Sequence, residues 1–226
     1  MLEMKTMIVL RLEGALQSWG DTSKWDYRES SDLPSKSGIV GLIGCAMGLE
    51  RGSAELPKLA EAIRIAVRAD RAGIRTVDYQ TVTGAPLLNA EGKPKSTGNT
   101  IVSPREYLQD ACFTVFISAD DTWIDRIQAA FLNPKWCVYL GRKNCIPSRP
   151  VFEATIKEYD SLEEAVRNYP TAMRSADSMV FETEEQSSEL SSYFRPDMNL
   201  LGERNFSMRH VWRGTVEEVR NVSVQN

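Results

Sequence analysis

Met7-Ile8-Val9-Leu10-Arg11-Leu12 is the first apolar run of the chain, with large hydrophobic side chains on both faces of an extended strand. A strand apolar on both sides lies inside its sheet, covered above and below. Working outward, Ser35 to Leu49 reads as a helix, Ala60 to Ala69 as a helix tail running into a strand, and Ile74 to Thr83 as an extended piece. Ala111 to Ala119 is a further strand. Thr122 to Leu132 is a helix with Trp123 or Ile124, Ile127 and Phe131 on one face, stopped by Pro134. Cys137 to Leu140 and Val151 to Ile156 read as the last strands of this half. With the polar stretch Gly84 to Pro104 set aside, the order is strand, helix, strand, strand, helix, strand. That order predicts an α+β fold of the ferredoxin-like, or RNA-recognition-like, kind, which by itself decides no function.

The stretch set aside contains Pro86, Gly92, Pro94, Gly98 and Pro104, with Lys93 and Lys95 near its middle, and is too polar for a core. It reads as a hairpin-like projection or a mobile loop. Ser161-Leu162-Glu163-Glu164 is a capping box opening a short helix that ends before Pro170. Short strands and loops follow, ending in Met208 to Val219. The expected division is residues 1–152 and a small, mostly β C-terminal part, residues 153–226.

At 226 residues, 42% of them hydrophobic, the chain can bury the core of one large domain or two small packed units. No apolar run reaches membrane-spanning length, and Met1 to Leu12 is too short and too mixed in charge for a signal peptide, so a cytoplasmic protein is expected. Cys45, Cys112, Cys137 and Cys145 form no C-x-x-C pair and the sole histidine is His210, which argues against a zinc site. Neither a cofactor nor a disulfide is expected, and Cys45 and Cys112 read as small core residues. The net charge of −4 is unevenly spread: Val151 to Leu190 holds ten acids and three bases, which leaves +3 on the remainder. The acid-rich stretch reads as a solvated surface. The mild excess elsewhere is compatible with a nucleic-acid partner.

Two short blocks carry the candidate chemistry. Gly14-Ala15-Leu16-Gln17-Ser18-Trp19-Gly20 ends the first strand in a glycine-bounded turn, where Trp19 reads as an exposed ring on which a base could stack, beside hydrogen-bonding Gln17 and Ser18. Pro34-Ser35-Lys36-Ser37-Gly38 opens the helix. Hydroxyls at Ser35 and Ser37 can cap the first turn, Lys36 adds a charge, and the free N–H groups there attract phosphate. Gly38, Gly41, Gly44 and Gly48 share one stripe of this helix, at about 3–4 kcal/mol of lost propensity. A stripe like that needs a close neighbour, either a packed protein element or an RNA backbone.

Gly141-Arg142-Lys143-Asn144 follows an expected strand and precedes Pro147, placing Arg142 and Lys143 on a tight turn suited to phosphate. Arg105 and Tyr107 border the projection, and Arg64, Arg68 and Arg75 fall on nearby strands, facing either RNA or water. For catalysis the inventory is thin. His210 is the one side chain that titrates in the useful range, and no spacing assembles Tyr27, Lys36 and His210 into a set. Walker, G-x-S-x-G and H-E-x-x-H motifs are absent.

The first two blocks together resemble the N-terminal signature of the CasD (Cas-five) family of CRISPR-associated proteins, within the repeat-associated mysterious protein superfamily. Arg105-Glu106-Tyr107-Leu108-Gln109-Asp110-Ala111 and Tyr139-Leu140-Gly141-Arg142-Lys143-Asn144-Cys145 resemble its type I-E branch. The resemblance runs from about residue 6 to 152, with a further match around Glu203 to Gly214. It implies a subunit of the Cascade surveillance complex that binds the 5′ handle of the guide RNA and caps the backbone. The implied partners are the backbone subunit CasC, the large subunit CasA and, through the complex, target DNA. By the same resemblance Gln17, Ser18, Trp19, Ser35, Lys36, Ser37, Arg105, Tyr107, Arg142 and Lys143 are RNA-binding. Thr83 to Pro104, with Thr83, Lys93 and Lys95, becomes a β-hairpin thumb. A non-catalytic protein is implied, the alternative being a metal-independent endoribonuclease that processes CRISPR repeat RNA.

Overall fold

The computed structural model describes residues 5–20, 27–83, 93, 100–172, 178–198 and 206–216. The first apolar run is β1 (Met7–Glu13), and it does lie inside its sheet, hydrogen-bonded on both sides. A short β2 (Leu16–Gln17) leads towards α1 (Lys36–Met47), then α2 (Glu55–Ala62) and β3 (Arg64–Arg71). A long hairpin, β4 (Ile74–Thr83) and β5 (Thr100–Gln109), is followed by β6 (Cys112–Ser118), α3 (Asp121–Leu132) and β7 (Phe152–Ile156). The chain continues through α4 (Leu162–Asn168), β8 (Met179–Thr183), β9 (Ser191–Met198) and β10 (Phe206–Val216). Seven strands form one antiparallel sheet in the order β7-β1-β6-β3-β8-β10-β9, and β2-β5-β4 form a second.

The alternation within β1 builds two cores. Ile8, Leu10 and Leu12 join Ile65 and Val67 of β3 and Val115 and Ile117 of β6 beneath α1, α2 and α3. Met7 and Val9 face the other way, with Phe116 and Phe181, beneath Leu162, Ala165 and Val166 of α4. Arg11 shares that second face and is answered there by charge. Its guanidinium reaches Asp70 Oδ2 at 2.7 Å and Glu153 at 2.6–2.7 Å, while Arg68 donates to Asp70 Oδ1 at 2.6 Å. Arg68 also donates to the carbonyls of Val166 (2.6 Å) and Tyr169 (2.8 Å), tying α4 to the sheet. Arg68 is fully buried, so the choice between RNA and water does not apply to it; Arg75 pairs with Glu106.

Two expectations about the elements change. Cys137 to Leu140 is not a strand. Its backbone is committed locally: the Leu140 carbonyl accepts from Ser18 N–H (3.1 Å), the Leu140 N–H donates to Cys145, and the Cys137 carbonyl accepts from Cys45 Sγ. The C-terminal strands β8, β10 and β9 extend the main sheet beyond β3. The acids of Val151 to Leu190 are not all solvated, because Glu182 is 5% exposed and the Glu184 side chain 6%, each paired with cations. Of the projection, 84–92 and 94–99, including Lys95, lie outside the described residues. Thr83 closes β4 opposite Thr100, Lys93 is exposed, and Thr100 to Pro104 belong to β5.

Candidate nucleic-acid interface

Ser18 and the turn after Leu140 are pressed together at one end of the hairpin. Gly141 has φ +87°, and a Cβ there would sit 1.7 Å from the Ser18 carbonyl oxygen. Only glycine meets both demands. The turn closes with Cys145 N–H donating to the Arg142 carbonyl at 2.8 Å. Arg142 then lies over the ring of Tyr107, 4.6 Å from its centroid, and donates to the carbonyls of Glu106 (2.9 Å) and Arg28 (3.0 Å). Asn144 Nδ2 donates to the Tyr107 hydroxyl at 3.0 Å.

These contacts shape an open cleft of about 450 Å³ whose walls carry four cations, Arg28, Arg105, Arg142 and Lys143. Gln80 and Asn144 add amides and Tyr139 adds a half-buried ring; among the described residues no carboxylate is in the lining. Two acids of the β4–β5 hairpin near the cleft have other partners. Glu106 accepts from Tyr27 (2.7 Å), the Ser30 N–H (3.1 Å) and Arg75, and these donors hold its carboxyl below the usual range against the opposing effect of burial. Asp78, opposite Arg105 in the hairpin, accepts from Gln80 at 2.6 Å.

Trp19 is not exposed. It is 1% accessible, its ring packed on Gly38 and its Nε1 donating to Gln17 Oε1 at 3.1 Å. Gln17 in turn donates to the carbonyls of Leu12 and Ala111. Gln17, Ser18, Trp19 and Tyr107 are all buried and form the frame behind the cleft. Among the described residues the aromatic ring in the cleft wall is Tyr139, which lies in the segment expected to be a strand.

The helix entrance also departs from expectation. Ser35 caps α1 as predicted, accepting from the Gly38 N–H at 3.2 Å. The anions it attracts are the protein's own: Ser37 N–H donates to Asp197 Oδ1 (3.2 Å) and Lys36 Nζ to Glu184 Oε1 (3.0 Å). Burial lowers the Lys36 pKa against the pull of Glu184. Ser35, Lys36 and Ser37 therefore belong to an internal clasp, and Lys36 and Ser37 line a different cleft, with Arg209 and His210. The helix entrance and the Gly141–Asn144 turn thus line different clefts. Three of the stripe glycines meet protein neighbours, Gly38 at Trp19, Gly44 at Leu56, and Gly48 at a left-handed helix end with φ +72° against Lys135, whereas Gly41 is exposed and faces open space. His210 stacks on Phe194 and makes a tilted ring contact with Trp212, while Tyr27 is bonded to Glu106 beside the first cleft.

An α+β scaffold that gathers four cations and an aromatic ring around one open cleft is suited to gripping a polyanionic chain. Comparison with known proteins narrows that class. Residues 7–212 match the family model described as CRISPR-associated protein (Cas_Cas5), and the chain belongs to that family. It is 33% identical over 180 residues to the CRISPR system Cascade subunit CasD of Escherichia coli (strain K12), covering 74% of this chain and 78% of the relative. A structure titled CRISPR RNA-guided surveillance complex contains a chain that superposes with TM-score 0.76 at 28% identity, covering 94% of this chain and 90% of that one. A second, titled Crystal structure of Cas protein, gives TM-score 0.71 at 28% identity, covering 92% and 94%. The family match thus continues past residue 152 through β8 and β9. Among the described residues no helix is long and apolar enough to cross a membrane.

Proposed function

We propose that this chain is a non-catalytic subunit of a type I-E Cascade-type CRISPR surveillance complex and holds the 5′ handle of the guide RNA in the cleft beneath the Gly141–Asn144 turn. The observation that carries this reading is the meeting of Arg28, Arg105, Arg142 and Lys143 around Tyr139. Phosphates pair with the cations and an unpaired base stacks on the ring, a mode that suits single-stranded RNA. The order β7-β1-β6-β3 with α1 and α3 on one face supports a ferredoxin-like core, and the β4–β5 hairpin leaving it supports a thumb. Kinship with the Cascade subunit supports a role in capping the backbone, with the backbone subunit CasC and the large subunit CasA as neighbours and target DNA reached through the complex. A cytoplasmic site of action follows from that assignment.

The test is a titration of handle RNA against the chain and its variants. Arg105→Ala and Lys143→Ala should each weaken binding and flatten the log–log salt dependence by about 0.7, one phosphate contact on a single strand. Unchanged affinity and slope in both would reject the cleft. The repeat-RNA endoribonuclease is kept as the rival because Lys36 and His210 share the second cleft. Site-specific cuts in chelator, lost in His210→Ala, would establish it instead.

A further inference from the structure

The polar groups of the basic cleft divide by chemistry. Strand alternation in β4 and β5 puts Asp78 and Gln80 on the face that carries Arg105 and Tyr107, and the Gly141–Asn144 turn brings Asn144 against the same face. Gln80 Nε2 donates to Asp78 Oδ2 at 2.6 Å and lies 3.5 Å from the Tyr107 hydroxyl. A carboxylate accepts and does not donate, so the atom of the Gln80 amide that meets Asp78 is its nitrogen. Asn144 Nδ2 donates to the same Tyr107 hydroxyl at 3.0 Å, while Asn144 Oδ1 takes only a weak thiol contact from Cys145 Sγ at 3.8 Å. Among the described residues Gln80 Oε1 has no hydrogen-bond partner.

Both amides line the cleft, Gln80 half-buried and Asn144 exposed, and both commit N–H groups to the protein. What they leave for a ligand is a pair of carbonyl oxygens. The charged donors of the lining, Arg28, Arg105, Arg142 and Lys143, suit phosphates. A base held by those phosphate contacts and by Tyr139 therefore meets acceptors. The exocyclic amines of adenine, cytosine and guanine each carry two N–H donors, enough for both oxygens. Uracil has a single donor between two keto oxygens, which oppose the amide oxygens. From this geometry we infer that Gln80 and Asn144 are the base-reading residues of the cleft and select a nucleobase with an exocyclic amine over uracil. The inference deepens the reading of the cleft as an RNA site and rests on it.

Octacytidylate and octauridylate carry the same phosphates and rings of the same size, so their affinities for the full chain compare an amine with a keto oxygen. At about 0.1 M salt the parent should bind octacytidylate about five-fold more tightly, the scale of one net hydrogen bond. Gln80→Met and Asn144→Leu each remove one acceptor at nearly constant size and should each lower that ratio, and the double variant should bring it near one. The ratio cancels two side effects. Gln80→Met leaves the Asp78 carboxylate without its donor, which repels both RNAs alike, and any loss of folded protein weakens both alike. A ratio near one in the parent, or the parental ratio kept in the double variant, overturns the inference. Arg105→Ala and Lys143→Ala, titrated with octacytidylate at several salt concentrations, separate this result from the reading beneath it. A flattened salt slope in those variants with a parental ratio near one keeps the cleft and removes the base selection; an unchanged slope removes both.

Discussion

A Cβ on Gly38 would come 3.0 Å from the indole of Trp19, so helix α1 lies on that ring because position 38 has no side chain. The tryptophan and the start of the glycine stripe, two separate signals in the sequence, are one contact in the fold. Nothing in the spacing of residues 19 and 38 announces it, because they sit on different elements that meet through tertiary packing. Gly141 is the sharper case. With φ +87° and the Ser18 oxygen in the way, Gly141→Ala should destabilise the protein by more than about 2 kcal/mol, combining backbone strain with a forced movement of the turn. Urea denaturation measures this, and stability equal to the parent would contradict the packing of the turn on Ser18.

At the scale of elements, the start of α1 was legible and its occupant was not. The hydroxyl cap, the lysine and the free N–H groups all point to an anion, and an anion is there. Choosing between a phosphate and a carboxylate required knowing that β9 and the end of β8 deliver Asp197 and Glu184, some 150 residues later, to the same place. Lys36→Ala is therefore expected to lower stability by about 3 kcal/mol, the scale for breaking a largely buried ion pair, while leaving the salt slope of RNA binding unchanged. A flattened slope with parental stability would return Lys36 to the RNA. The stretch Cys137 to Leu140 misled for a related reason. Its composition fits a strand, but its carbonyls are claimed by Ser18 and Cys45, so no neighbour can pair with it. The regular elements were readable because periodicity is local: β1, β3, β4, β6, α1 and α3 fall close to their expected positions.

Across the whole molecule, one sheet is covered on both faces, and the second face is held as much by charge as by apolar contact. Among the described residues no buried side-chain nitrogen or oxygen lacks a hydrogen-bond partner, so the Arg11–Asp70–Arg68–Glu153 network is fully satisfied. Burial alone would raise the carboxyl pKa of Asp70 and Glu153. The adjoining arginines and hydrogen bonds outweigh it and hold both below the usual range. Groups shifted down in the folded state add stability that is complete above their unfolded values, about 4, and is lost as pH falls through the folded ones. The free energy of unfolding should decline between about pH 5 and pH 3. Asp70→Asn should lose about 3 kcal/mol at pH 7 and show a shallower decline; denaturant midpoints across that range check both, and a parental pH profile in the variant would remove Asp70 from the account. The network and the clasp at α1 both join residues far apart in sequence, which is why the C-terminal third was the least readable part.

The cleft itself is open to direct mapping. Ultraviolet crosslinking of handle RNA to the purified chain, followed by mass spectrometry of the adducts, should place them on Tyr139 and its neighbours up to Lys143, and on the β5 peptide that contains Arg105. Adducts confined to the peptides around Lys36 and His210, with none between Tyr139 and Lys143, would contradict the account.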